Sequence, residues 1–151
     1  MIRPARPADQ AFIASTWTRS ICSTHKVPGV SSHGHAYQRH VGSAMWTKVS
    51  AQVDAVMDRR DSKALVVCRP SDENALLGWV CYAHVRDVPL IHYVYLRRDE
   101  RERGHAADLL RAIGVHHGTA VVCTSLGPSS QMMRSRYKAA SFLPLDEFLE
   151  P

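Results

Sequence analysis

No apolar run in this sequence approaches the roughly 18–20 residues that a membrane-spanning helix requires, so no such helix is expected. Nor does an apolar segment follow Met1-Ile2-Arg3-Pro4-Ala5-Arg6-Pro7, so a secretory signal is not expected and the cytoplasm is the expected compartment. There is no Cys-x-x-Cys pair. The four cysteines, Cys22, Cys68, Cys81 and Cys123, are widely spaced, and three stand among Val, Leu and Tyr in strand-like stretches. That pattern fits reduced, buried thiols, not a disulfide framework or a cysteine metal site. Repeats, low-complexity tracts and linkers are missing as well. Residues 1–151 read as one domain, long enough to bury a core without staples.

What is present is ordinary for a globular chain, 45% hydrophobic and 22% charged residues, which argues against disorder. The balance is basic, with a formal charge of +5 and a pI near 9.3. Such a charge favours acidic partners, but a small phosphorylated ligand satisfies it as well as nucleic acid does.

Along the chain, Ile2-Arg3-Pro4-Ala5 reads as a short strand. Asp9 can cap a helix carrying Phe12, Ile13, Trp17 and Ile21 at roughly helical spacing. Cys22 to His35 is polar, contains Pro28, Gly29 and Gly34, and reads as a loop. Tyr37, Val41, Met45, Val49, Val53 and Met57 predict a second helix with a break near Gly42-Ser43. Three antiparallel strands are then expected, at Lys63 to Cys68, Ala75 to Ala83 and Leu90 to Leu96. Turns are expected over Arg69 to Asn74 and around Asp87-Val88-Pro89. A helix with Ala106, Leu109, Leu110 and Ile113 follows. Ala120 to Thr124 is a fifth strand that should run parallel to the fourth, because a helix joins them. A last helix with Met133, Tyr137 and Ala140 on one face precedes a short strand at Ser141 to Leu145. Pattern alone therefore predicts an α/β chain built on a mixed sheet.

The stretch Arg101-Glu102-Arg103-Gly104-His105-Ala106, between the fourth strand and its helix, has a chemical use. The first N–H groups of a helix lack intrahelical partners and carry the positive end of its dipole, so they hold phosphate or pyrophosphate. Gly104 removes a Cβ where the anion would approach, while Arg101 and Arg103 add charged donors suited to phosphate oxygens. Asp99, Glu100 and Glu102 should repel an anion unless they point outward or pair with Arg97, Arg98, Arg101 and Arg103.

The pattern Arg-x-x-Gly-x-Ala after Val94-Tyr95-Leu96, together with Tyr-x-x-x-x-Phe from Tyr137 to Phe142, resembles the acyl-CoA signature of the GCN5-related N-acetyltransferases. The resemblance implies that family's order, β-α-α-β-β-β-α-β-α-β, with a central, mostly antiparallel sheet flanked by helices. It implies direct acyl transfer from acetyl-CoA, a co-substrate, to an amine acceptor, with no metal. On these grounds Arg101, Arg103, Gly104, His105 and Ala106 would hold the pyrophosphate. The backbone amides of Val94, Tyr95 and Leu96 would face the thioester and pantetheine arm. Tyr137 would protonate the departing thiolate, since a phenol of pKa about 10 is a donor at neutral pH. His92 would be the base, with His84 and Tyr82 as alternatives on the neighbouring strand. The family usually ends in a longer hairpin than the ten or so residues after Phe142 here. One wall of the acceptor pocket is then missing, open, or supplied by a second copy of the chain in a homodimer.

Two readings stand beside this one. The same fold can bind acyl-CoA, or nothing, and act by protein contact. The segment Phe12 to Ser20 also has a slight resemblance to acetyltransferase-like phage proteins whose relatives modify DNA bases, which implies a nucleic-acid acceptor, although core packing is the simpler role for Trp17. His25, His33, His35 and His40 cluster around the first loop without a carboxylate or cysteine at metal-ligand spacing, and read as exposed loop histidines that shape the acceptor pocket.

Overall fold

The computed structural model describes residues 1–24, 35–124 and 140–142, with side chains described over 1–22 and 44–124. Its elements are β1 (Ile2–Pro4), α1 (Gln10–Thr24), α2 (His35–Met57), β2 (Lys63–Arg69), β3 (Asp72–Val85), β4 (Val88–Leu96), α3 (His105–Ala112), β5 (Val121–Cys123) and β6 (Ala140–Phe142). The six strands lie side by side in sequence order. Pairing is antiparallel from β1 through β4 and parallel from β4 to β5 and from β5 to β6. The parallel fifth strand is thus as expected, and no helix among the described residues is long and apolar enough to cross a membrane.

Strand alternation sends neighbouring side chains to opposite faces and builds two cores. On one face Val66, Trp79, Cys81 and Tyr93 pack against Ile13 and Trp17 of α1 and Val49, Val53 and Val56 of α2. On the other, Val67, Leu77, Val80, Tyr82, Ile91 and Val94 pack against Leu109, Leu110 and Ile113. Gly114, at φ 88°, stops α3 after only eight residues, its N–H bonding the Arg111 carbonyl at 3.1 Å and that of Val115 bonding Leu110 at 2.9 Å. Cys68, Cys81 and Cys123 are buried, Cys22 is half-buried, and all four are free thiols.

Several boundaries differ from the sequence reading. α1 runs to Thr24, so the segment expected as loop from Cys22 is helical for three residues. α2 is continuous through Gly42 and Ser43, where a break was expected. A mid-helix glycine costs about 1 kcal/mol, less than the packing of Val49, Val53 and Val56 returns. The β3–β4 turn is Arg86-Asp87, both at positive φ (49° and 64°), and Val88 and Pro89 already belong to β4. That is the two-residue turn whose twist matches a hairpin, built here without glycine. The β2–β3 turn is Pro70-Ser71, with Arg69 paired to Asp72. Asp9 accepts the Arg6 N–H at 2.7 Å and both terminal nitrogens of Arg3, at 2.7 and 3.2 Å. It therefore closes the short 3-10 turn Pro7–Asp9 ahead of α1 and ties that turn to β1. The Arg3 guanidinium holds the Asp9 carboxyl below its usual range.

Candidate acyl-transfer site

The site begins at a fault in the β3–β4 ladder. Tyr82 pairs with Ile91 and Cys81 with Tyr93, leaving His92 as an extra residue in β4, a β-bulge. Its consequence is that His92 and Tyr93 both face α1, their rings 6.5 and 5.8 Å from that of Trp17. At the same point β5 leaves β4. Their register consists of Leu90 with Val122 and Ile91 with Cys123, and a bond from the Thr124 N–H to the Ile91 carbonyl at 3.0 Å follows it. Past this bond no β4–β5 pairing continues among the described residues, and that side of β4 is called the wedge below. The Arg97 N–H bonds the Leu77 carbonyl at 2.9 Å, so antiparallel alternation puts Arg97, Tyr95 and Tyr93 in β3-bonded pairs. The backbone groups of Val94 and Leu96 then turn away from β3, toward the side of β5.

The wedge leads to the loop before α3. A 3-10 turn over Arg98–Glu100, Glu102 at φ 65° and Gly104 at φ 85° reverse the chain into the helix. Gly104 precedes His105 as N-cap with no side-chain cap, and a Cβ built on it meets nothing within 4 Å. Among the described residues nothing therefore crowds Gly104 at the start of the first turn, where the helix dipole is positive. The carboxylates are accounted for. Asp99 pairs with Arg97 at 3.3 Å, and the buried Glu100 lies 3.8 Å from Arg103 and 3.5 Å from His105. Glu102 is exposed. Arg101 is exposed too, its Nε 3.5 Å from the Leu96 carbonyl at the mouth of the wedge.

His92 is 1% exposed. Its Nδ1 lies 3.0 Å from Thr124 Oγ1, a side-chain link across the point where β4 and β5 part. Burial pushes its pKa down to about 4, with Asp61 opposing that shift and Arg59 assisting it. The ring is therefore neutral at pH 7. The unfolded chain takes up this proton near pH 6.5 and the folded chain only near pH 4. The stability this group supports is thus fully present above about pH 6.5 and falls progressively toward pH 4. Denaturant unfolding of wild type and His92→Gln across that window should show the wild type losing more, by up to about 3 kcal/mol; parallel pH dependences would contradict the assignment. Burial also raises the Tyr93 phenol, against the opposing effect of its hydrogen bond with Ser20.

The alternative bases are not gathered with His92. Tyr82 packs in the α3-side core, and His84 makes an edge contact with it and lies 3.3 Å from the Ile113 carbonyl. Both belong to the opposite face of the sheet from Trp17. Tyr137 and the helix expected around it, His25 and His33 lie outside the described residues, as do the side chains of His35 and His40. Among the described residues no group of three or more His, Cys, Asp or Glu could hold a metal ion. Sequence reasoning missed Thr124, because its role depends on the parallel register of β5 with β4.

No protein-family model matches the chain, and no curated protein matches it. Solved structures do. A Pyrococcus furiosus protein described as an acetyl transferase superposes with a TM-score of 0.67 at 16% identity, over 95% of each chain. The fold is that of the GCN5-related N-acetyltransferases. A protein from Bacillus halodurans shares it at TM-score 0.55 and 14% identity, over 89% of this chain and 87% of that one. AAC(6')-Iy, solved with the bisubstrate analogue CoA-S-monomethyl-acetylneamine, does so at TM-score 0.50 and 10% identity, over the same shares. Within this acetyltransferase fold, the bulge at His92, the last described pairing with β5 and the loop to α3 follow one another along β4.

Proposed function

We propose that the chain is an acyl-CoA-dependent N-acyltransferase that moves an acetyl group from acetyl-CoA directly to an amine. The observation that carries this reading is the order of features along one strand, from the β4 bulge, past the last described pairing with β5, to an α3 start at Gly104 with no side-chain cap and no described atom within 4 Å of a Cβ built there. The N–H groups at the start of α3, with Arg101, Arg103, His105 and Ala106, hold the pyrophosphate. Backbone amides from Val94 through Leu96 face the pantetheine arm and the thioester oxygen. That AAC(6')-Iy is solved with an analogue joining CoA to acetylneamine supports the same donor here.

In the transfer, the neutral amine attacks the thioester carbon, a C–N bond forms, and the C–S bond breaks. His92, uncharged at pH 7, accepts the proton that the amine nitrogen gives up. Tyr137 donates a proton to the departing thiolate. Tyr137→Phe should lower kcat about 100-fold with little change in acetyl-CoA affinity, measured by steady-state kinetics and equilibrium binding; an intact kcat removes Tyr137 as the acid. The reading as a whole is tested by mass spectrometry of acetyl-CoA turnover against a mixed panel of amines, peptides and nucleotides. An N-acetylated product with matching release of CoA is expected. Binding of acetyl-CoA without any product would instead indicate an acyl-CoA-binding protein that acts by contact.

A further inference from the structure

Three tryptophans offer an internal comparison. Trp46 is surface-exposed at 39%, and Trp79, fully buried, donates its indole N–H to Thr16 Oγ1 at 2.9 Å. Trp17 is 1% exposed, yet its indole Nε1 has no hydrogen-bond partner among the described residues. A buried donor left without an acceptor costs roughly 1–3 kcal/mol, and native structures carry few of them. The Trp17 ring stands against three other rings, with centroids 5.5 Å from Trp79, 5.8 Å from Tyr93 and 6.5 Å from His92.

The surroundings say what kind of acceptor is missing. Tyr93 and His92 are the two residues that the bulge turns to this face, so Trp17 lies against the point where β5 departs. The ionisable groups in this core are all held uncharged: burial pushes His92 down to about 4 and Cys81 up to about 12, and raises Tyr93. Val49, Val53, Val66 and Ile13 complete the lining. A carboxylate or phosphate would be stranded in such a place, whereas a neutral carbonyl oxygen, which accepts and never donates, fits it.

We propose that the Trp17 indole N–H is a catalytic hydrogen-bond donor to the thioester carbonyl oxygen of the acyl group, adding a side-chain donor to the backbone amides of β4. The proposal rests on the acyl-CoA reading above. As the carbonyl carbon is attacked its oxygen gains charge, and a preorganised donor in a dry site then bonds more strongly than in the ground state.

The test uses the indole N–H resonances of the full chain labelled with 15N-tryptophan, Trp17 being assigned by its disappearance in Trp17→Phe. Saturating acetyl-CoA should move the Trp17 proton downfield while Trp46 and Trp79 stay near their free positions. CoA, which lacks the carbonyl, should not produce that shift. Acetyl-CoA that saturates the protein while leaving Trp17 unmoved, or an identical Trp17 response to CoA, overturns the proposal and leaves the acyl-CoA reading standing. Absence of binding by either ligand removes both. As a second readout, Trp17→Phe should reduce kcat about 100-fold, measured at a temperature where the variant is fully folded. A lowered Tm with unchanged kcat would mean that the indole is only packing.

Discussion

The double variant Arg101→Ala/Arg103→Ala should bind acetyl-CoA about 30-fold more weakly than wild type at low ionic strength, with its fold intact. Neither guanidinium is tied to the body of the protein. Arg103 is 65% exposed at the side chain and 3.8 Å from Glu100, while Arg101 makes one long contact, 3.5 Å, to the Leu96 carbonyl. Their removal therefore leaves circular dichroism and Tm nearly unchanged. Two effects add in the bound state. Two charge-assisted contacts to phosphate oxygens are lost, and the Glu100 carboxylate, no longer screened by Arg103, stands beside the anion. Because both arginines are exposed, the gap between variant and wild type should shrink as salt is raised toward 0.5 M, where screening acts within a few ångströms. Equal affinity of the two proteins in calorimetric titration would move the phosphate site away from this loop.

Among the glycines with described surroundings, Gly78→Ala should be the most damaging change to alanine, lowering stability by about 2–3 kcal/mol and Tm by roughly 5–10 °C. Gly78 pairs with Leu96, and its Cβ would stand 2.5 Å from the Tyr95 carbonyl oxygen and inside contact distance of the Leu96 side chain. The cause is geometric. The neighbouring pair Leu77 and Arg97 is hydrogen-bonded, so Gly78 and Leu96 form the close, non-bonded pair, where Cα atoms approach to about 4.5 Å. Relief requires β3 and β4 to separate at the end of β4 from which the loop to α3 departs, so acetyl-CoA binding should weaken along with stability. Gly104→Ala is the control. There a Cβ meets nothing within 4 Å and only the φ of 85° is unfavourable, a cost of about 1 kcal/mol. A Gly78→Ala protein as stable as Gly104→Ala would contradict the close approach.

The elements that bury a repeating face were legible in the sequence. Val66 and Val67, or Trp79 and Val80, announce a strand buried on both sides, and Leu109, Leu110 and Ile113 announce a helix with one apolar stripe. The proposed anion cradle rests on the same kind of local signal, since Gly104 and the arginines would act through their own backbone and charge. What depends on register was not. The bulge at His92 exists only because Cys81 pairs with Tyr93 and Tyr82 with Ile91, and no residue type marks it. The same fault decides that His92 and Tyr93 share a face, which separates His92 from His84 and Tyr82 as candidate bases. The Arg86-Asp87 turn was hidden because it adopts positive φ without glycine or asparagine. The repulsion expected from Asp99 and Glu100 is countered by their cationic neighbours, Asp99 by Arg97 and Glu100 by Arg103, while Glu102 is exposed.

Central to this account is that the wedge beside β4 and the start of α3 form an acyl-CoA site. The measurement that tests it most directly is calorimetric titration of acetyl-CoA into the full chain, wild type beside Arg101→Ala/Arg103→Ala. The account predicts saturable one-to-one binding by the wild type, weakened in the variant by the loss of its two phosphate contacts. Absence of binding to the wild type at millimolar acetyl-CoA would contradict it.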